Sequence, residues 1–203
     1  MRHGIKAIVF DAFGTLVTPV QRNGPYQSLA LAADVERRRF REEAMTLNLS
    51  LAELAARYGR PDLAQSLTDE LAVETAGVTL FDEVGRYLDM LDWRGFPYAV
   101  CSNLAHGYGE RVKELVPNAV GYVMSYEVGA YKPQPAIYHA VVDLLDVDPS
   151  RILFVGDTER ADVDGPRAAG MKAVHLNRRA GQTLLSVIAK ALRDAAAPSM
   201  LEG

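Results

Sequence analysis

Short apolar runs alternate with stretches of helical period along most of this chain. The first run, Ala7-Ile8-Val9-Phe10, has no polar break, the pattern of a strand buried on both faces. Similar runs predict strands over 98–101, 121–125, 152–155 and 172–176. Between and after them the period changes, and helices are predicted over 108–116, 133–145, 162–169 and 182–195. Phe81, Val84, Leu88 and Leu91 mark a further helical stripe, followed by a loop at 93–97. Strands alternating with helices predict an α/β fold, a doubly wound, Rossmann-like parallel sheet covered on both faces.

One stretch breaks the alternation. Residues 18–25 are rich in turn formers and read as a loop leaving the core. A helix is then predicted over 26–47, with the stripe Leu29, Ala33, Phe40, Ala44 and Leu47. Ser50 and Glu53 have the spacing of a capping box, opening a helix over 51–58 that stops at Gly59-Arg60-Pro61. A third helix covers 62–75. The expected organisation is a core of residues 1–17 and 80–203, with 18–79 as a small all-helical insertion. The tail 196–203 is expected to fray.

Bulk properties narrow the function. The 203 residues suffice for one domain with an insertion. A net charge of −4 gives no global positive field for nucleic acid. Cys101 is the single cysteine, so there is no internal disulfide framework, and a reducing cytoplasm is the expected location. Asp11 interrupts the first apolar run too early for a signal peptide, and no stretch is long and apolar enough to cross a membrane.

The candidate chemistry lies where strands hand over to helices, the edge at which such sheets bind ligands. Asp11 ends the first strand, Ser102-Asn103 the second and Gly156-Asp157 a later one. A carboxylate at such a place is costly to desolvate unless it serves a cation or a reaction. Asp11 is the candidate nucleophile, because a carboxylate can form a covalent intermediate that splits one hard step into two. Asp157 is its candidate metal partner. Two carboxylates brought together repel unless a cation lies between them, and Mg²⁺ prefers oxygen donors. Gly14 allows a sharp turn, and Thr15 places a hydroxyl beside it. Lys132 precedes Pro133, which fits the first turn of a helix, and is a candidate clamp for a phosphate or carboxylate. Ser102 and Asn103 either bond the transferring group or form a plain strand-to-helix turn. Asp162 is either an outer member of the acidic set or a carboxylate favouring a helix N-terminus.

Other residues carry less. His106 follows the Ser-Asn turn and either reaches the site or, the favoured reading, is an exposed loop histidine; Cys101 reads as a buried small hydrophobe, and His3, His139 and His175 lack metal-ligand spacing. In the run 37–41, Arg37 and Arg41 flank one side of the Phe40 stripe, Arg39 the other, and Arg38 points away. They form a solvated face or read a substrate anion.

The segments VFDAFGT, AVCSN, YKPQPAIY and LFVGDTERAD, in that order, resemble the four motifs of the haloacid dehalogenase superfamily of hydrolases, a resemblance running from about Ile5 to about Leu176. The resemblance implies that the helical insertion is a cap that selects the substrate. It implies catalytic roles for Asp11, Ser102 and Lys132 and substrate contacts for Thr15 and Asn103. It also implies a Mg²⁺ site formed by Asp11, the Phe13 carbonyl and Asp157, with Asp162 beyond them. Tyr138 lies six residues after Lys132, as does a tyrosine of the dehalogenases, and otherwise reads as a partly buried helix tyrosine. Two positions pull apart. Phosphatases of the superfamily carry a second aspartate, the acid–base group, where this chain has Phe13. Dehalogenases carry Ser and Asn where it has Gly156-Asp157. The expected activity is Mg²⁺-dependent hydrolysis of a small phosphate ester through an aspartyl-phosphate, slow or substrate-restricted because of Phe13. The alternatives are a 2-haloacid dehalogenase and a binding module that has lost efficient catalysis.

Overall fold

The computed structural model describes residues 4–19 and 24–196. Its strands are β1 (Ala7–Phe10), β2 (Val17–Pro19), β3 (Val78–Leu80), β4 (Tyr98–Ser102), β5 (Tyr122–Met124), β6 (Ile152–Gly156) and β7 (Lys172–His175). Five make one sheet in the order β5-β4-β1-β6-β7, with every pair parallel. In the centre, Val9 lies opposite Ala99 on one side and Phe154 on the other. All residues of β1, β4 and β6 are buried, as their unbroken apolar runs require.

The strand period of two divides the core. Ile8 and Phe10 pack with Tyr98, Val100, Leu153 and Val155 on one face, whereas Val9 packs with Cys101, Ile152 and Phe154 on the other. Helices cover both faces, so the doubly wound α/β reading holds.

The insertion contains α1 (Pro25–Ala32), α2 (Arg37–Thr46), α3 (Leu51–Arg57) and α4 (Ala64–Ala76). Leu29, Phe40, Leu54, Leu67 and Leu71 form its own apolar cluster. The Ser50–Glu53 capping box opens α3 as expected. The helix expected over 26–47 is two helices. Asp34 takes a positive φ of 50°, and the Glu36 side chain accepts from the N–H groups of Arg38 and Arg39, starting α2 afresh. The chain then turns, and both Leu29 and Phe40 reach one cluster. The third helix is preceded by a 3-10 turn, Pro61–Leu63. The loop expected from residue 18 instead begins as a strand. β2 pairs antiparallel with β3, Val17 opposite Leu80, so a two-stranded ribbon links the ends of the insertion to the sheet.

The remaining helices are α5 (Val84–Trp93), α6 (His106–Leu115), α7 (Ser125–Val128), α8 (Pro135–Leu145), α9 (Gly165–Ala168) and α10 (Leu184–Ala196). The helix expected from residue 133 begins at Pro135, with Gln134 as its N-cap, so Pro133 precedes it. The helix expected over 162–169 is a wider π-type turn, Glu159–Asp164, followed by α9. Among the described residues no helix is long and apolar enough to cross a membrane. His3, residues 20–23 of the expected loop and the expected fraying at 197–203 lie outside the described residues.

Candidate active site

Asp11 lies just beyond the C-terminal end of β1, its N–H donating to the Val155 carbonyl at 2.9 Å. The residue is 7% exposed. Ser102, from the end of β4, donates its hydroxyl to Asp11 Oδ1 at 2.9 Å. Lys132 Nζ donates to the same oxygen at 2.7 Å and to Asp162 Oδ1 at 2.6 Å. Both bonds fall on Oδ1, which leaves Oδ2 of Asp11 outside them.

Lys132 is buried between two carboxylates, not set at a helix N-terminus. Burial works against its charge, but the Asp11 and Asp162 carboxylates outweigh that and hold the amine well above its ordinary range. Asn103 fixes the lysine's backbone. Its Nδ2 donates to the Lys132 carbonyl at 2.9 Å and its Oδ1 accepts from the Lys132 N–H at 2.7 Å. The Asn103 amide is thus turned to Lys132. Ser125 supports the neighbouring turn, its hydroxyl accepting from the Leu104 N–H and donating to the Leu104 carbonyl. Nothing in the sequence pattern singles out Ser125.

Asp162 is 1% exposed and accepts from the Thr158 N–H at 2.9 Å as well as from Lys132. Burial, then the Asp11 charge, pushes its carboxyl up, against the pull of Lys132. The π-type turn that carries it is tied by Tyr138, whose hydroxyl donates to the Ala161 carbonyl at 2.6 Å. Gly156 admits this arrangement, since a Cβ there would lie 2.3 Å from Asp162 Cγ.

Asp157 is more open to solvent, yet its carboxylate rests against Gly14, where a Cβ would lie 2.1 Å from Oδ2. Burial of that end, then the nearby Asp11 charge, raises its pKa. Gly14 also has φ +85°, a conformation that costs other residues roughly 1–2 kcal/mol. Gly14→Ala should therefore lower stability by at least about that amount, read from the denaturant midpoint. An unchanged midpoint would show that the loop relaxes freely.

The turn after Asp11 is closed by the Ala12 carbonyl, which accepts from the N–H groups of Thr15, Leu16 and Val17. None of its bonds uses the Phe13 carbonyl among the described residues. Thr15 is fully buried, and its hydroxyl has no hydrogen-bond partner among the described residues. The Phe13 ring stands edge-on to Tyr108 at 5.9 Å between centroids. It lines a cleft of about 750 Å³ together with Asn103 and Tyr108, and with Tyr26, Arg37 and Arg41 of the insertion. On α2 the outward Arg38 and Arg39 pair with Glu42 and Glu43, while Arg37 and Arg41 face the cleft. His106 is a correction to the expected loop histidine. It starts α6, half-buried, with its ring 5.3 Å from that of Tyr126, because the helix begins earlier than the apolar period suggests. Cys101 is buried as expected, and burial pushes its thiol up to about 12, which removes it as a nucleophile.

Asp11, Ser102, Lys132, Asp157 and Asp162 are thus brought together at one edge of the sheet. One carboxylate oxygen from each of Asp11, Asp157 and Asp162 lies within 4.8 Å of the others. Such hard oxygen donors suit a divalent cation, and the cluster could hold one. A family model described as haloacid dehalogenase-like hydrolase matches residues 5–170. The chain belongs to this family of hydrolases.

Its relatives within the family divide between two chemistries. The chain is 28% identical over 202 residues to (S)-2-haloacid dehalogenase 1 of Pseudomonas sp., covering 86% of this chain and 85% of the relative. It is 29% identical over 126 residues to a phosphoserine phosphatase of Thermus thermophilus, a match covering 59% of this chain and only about half, 49%, of that protein. A solved structure of a family enzyme from Bacteroides thetaiotaomicron, in complex with magnesium and inorganic phosphate, superposes with a TM-score of 0.63 at 19% identity. That likeness covers 89% of this chain and 98% of the other, and it concerns the fold.

Proposed function

We propose that this hydrolase cleaves a small phosphate ester with Mg²⁺, using Asp11 as nucleophile. The observation that carries the reading is the Asp157 carboxylate beside Asp11, with Asp162 behind them and all three within 4.8 Å. Lys132 offers one positive charge to three carboxylates, and a divalent cation would offset the remainder. Asp11, Asp157 and the Phe13 carbonyl would hold the ion, with Asp162 outside. The ion supplies positive charge that offsets the carboxylates and the phosphate oxygens.

Lys132 and Ser102 occupy Asp11 Oδ1, and Oδ2 is the oxygen that would attack phosphorus. A bond from Asp11 to phosphorus forms as the bond to the leaving oxygen breaks. Water then attacks the aspartyl-phosphate and releases phosphate and Asp11. Phe13 cannot protonate the leaving oxygen, so esters of acidic alcohols are the favoured substrates. Asn103 acts through the Lys132 backbone, and Thr15 through the loop it shares with Asp11. Arg37 and Arg41 suit a second anionic group on the substrate.

Mg²⁺ binding to the native protein should raise the unfolding midpoint by mass action, and Asp157→Asn should remove most of that shift. Because burial and Asp11 raise the Asp157 pKa, protons compete with the ion. The shift should grow as pH rises from about 4, where an ordinary aspartate is half ionised, towards neutrality. Absence of any Mg²⁺-dependent stabilisation at millimolar concentration would remove this reading.

Phe13 favours a second reading, hydrolysis of a 2-haloacid, since a halide leaves without a proton. Halide release that is indifferent to Mg²⁺, with no phosphate release from aryl or acyl phosphates, would establish it.

A further inference from the structure

Arg178 lies beyond β7, in a one-turn 3-10 helix, Arg178–Ala180, far in sequence from any motif of the site. The turn is held rigidly. The Asn177 side chain accepts from the Ala180 N–H, and the Gln182 side chain accepts from the Asn177 N–H. The guanidinium is largely buried, with 15% of the side chain exposed. Its Nε donates to the Thr15 carbonyl at 3.1 Å, and Nη2 donates to the same oxygen. Its Nη1 donates to Glu83 Oε1 at 2.9 Å, and its Cζ lies 3.8 Å from the centroid of the Phe81 ring.

These partners belong to two different parts of the machine. Thr15 is in the turn that carries Asp11 and Gly14. Phe81 and Glu83 follow β3, the strand by which the chain returns from the helical insertion. The Phe81 N–H donates to the Leu16 carbonyl at 3.0 Å, and Glu83 Oε1 also accepts from the Leu184 N–H at the start of α10. A planar fork can satisfy a carbonyl, a carboxylate and an aromatic face at once, and a lysine cannot.

We propose that Arg178 is a positioning residue that locks the Asp11 turn to the return strand of the insertion. Through it, the seating of the helical cap and the aim of the Asp11 carboxylate are one mechanical unit. The catalytic part of this inference rests on the reading of Asp11 as nucleophile. The structural part does not.

The experiment is hydrogen–deuterium exchange on the wild type, Arg178→Ala and Arg178→Lys, with Arg179→Ala as a control at an exposed neighbour. Both Arg178 variants should exchange faster in two separate peptides, 11–17 and 78–84, while β6 and α8 stay protected. Arg179→Ala should exchange like the wild type. With p-nitrophenyl phosphate and Mg²⁺, kcat of Arg178→Ala should fall about 10- to 100-fold, the scale of misplacement far from the chemistry, with little change in KM. Guanidinium ion at tens of millimolar should restore part of that rate, and ammonium should not. Loosening confined to 178–184, with turnover unchanged, would overturn the proposal. If the wild type turns over no phosphate ester, the phosphatase reading fails, and the paired exchange result still decides whether the lock exists. If Arg178→Ala does not fold, Arg178→Lys carries the same comparison.

Discussion

Lys132→Met is expected to cost roughly 3–5 kcal/mol of stability at neutral pH, the usual effect of removing one partner from a buried ion pair. Lys132 is the cation at 2.7 Å from Asp11 and 2.6 Å from Asp162, and all three residues are at least nine-tenths buried. Methionine fills the space and leaves two buried carboxylates facing each other. The loss should depend on pH with a definite sign. Burial and Asp11 already raise the Asp162 pKa in the intact protein, and loss of the lysine raises it further. A carboxyl whose folded pKa lies above its unfolded value binds more protons when folded, so stability falls as pH rises between the two values. The variant should therefore be most stable below about pH 4, where an unfolded aspartate begins to be protonated, and should weaken steadily towards neutrality. In the wild type the lysine stays charged across this window, because its own pKa is raised. The gap between the two proteins should widen with pH, as read by denaturant midpoints from acid to neutral. Turnover should fall about 10²- to 10³-fold, the scale for loss of a preorganised charge. A variant as stable as the wild type at neutral pH would show that the two carboxylates do not need the lysine.

The second large effect, on the proposed phosphatase reading, concerns the release of phosphate from Asp11. Water attacking an aspartyl-phosphate normally meets a general base, and Phe13 cannot serve. With an activated ester, rapid quench should show a burst near one equivalent per site, followed by a slow steady state. Phe13→Asp should speed the slow phase by up to about 10²- to 10⁴-fold, the range of positioned acid–base catalysis. The surroundings set the obstacle. The ring packs edge-on against Tyr108 and lines the cleft beneath the insertion. A carboxylate there would lie beside aromatic surface, which favours its protonated form. The gain should consequently grow with pH. The wild type supplies the sharper test: Mg²⁺-dependent hydrolysis with neither burst nor trapped phosphoenzyme would remove Asp11 as the nucleophile.

By the resemblance read from the sequence, the two chemistries part at two positions, Phe13 and Asp157. The fold treats them differently. Asp157 is drawn against Gly14 and joins the acidic group, whereas the Phe13 ring leaves that group and lines the cleft. The candidate metal ligand and the residue at the expected acid's position are therefore separate features, and the proposed phosphatase, restricted to good leaving groups, accommodates both.

The strands, the doubly wound arrangement and the edge that carries the site were legible in the chain, because apolar runs and strand ends are local features. A parallel sheet brings the carboxyl ends of its strands to one side, so Asp11, Ser102 and Asp157 could be assigned to one place before any contact was known. Contacts across long loops were not legible. Lys132 meets Asp162 across 30 residues of sequence and Asp11 across 121, so its residue type suggested an anion but not these two. Asn103 and Ser125 have ordinary turn residues' sequence signatures, and their roles exist only because Lys132 and Leu104 arrive beside them. The stripe Leu29, Ala33 and Phe40 skips one turn, where Glu36 and Arg37 stand, and a single helix fits the remaining spacing, so the break at Asp34 was hidden. A helix stripe records which face is buried, not whether the axis bends to bury it. The β2–β3 ribbon and the Arg178 lock were hidden for the same reason: register between distant segments is set by the packing of the whole chain, and a single chain pattern carries no term for it.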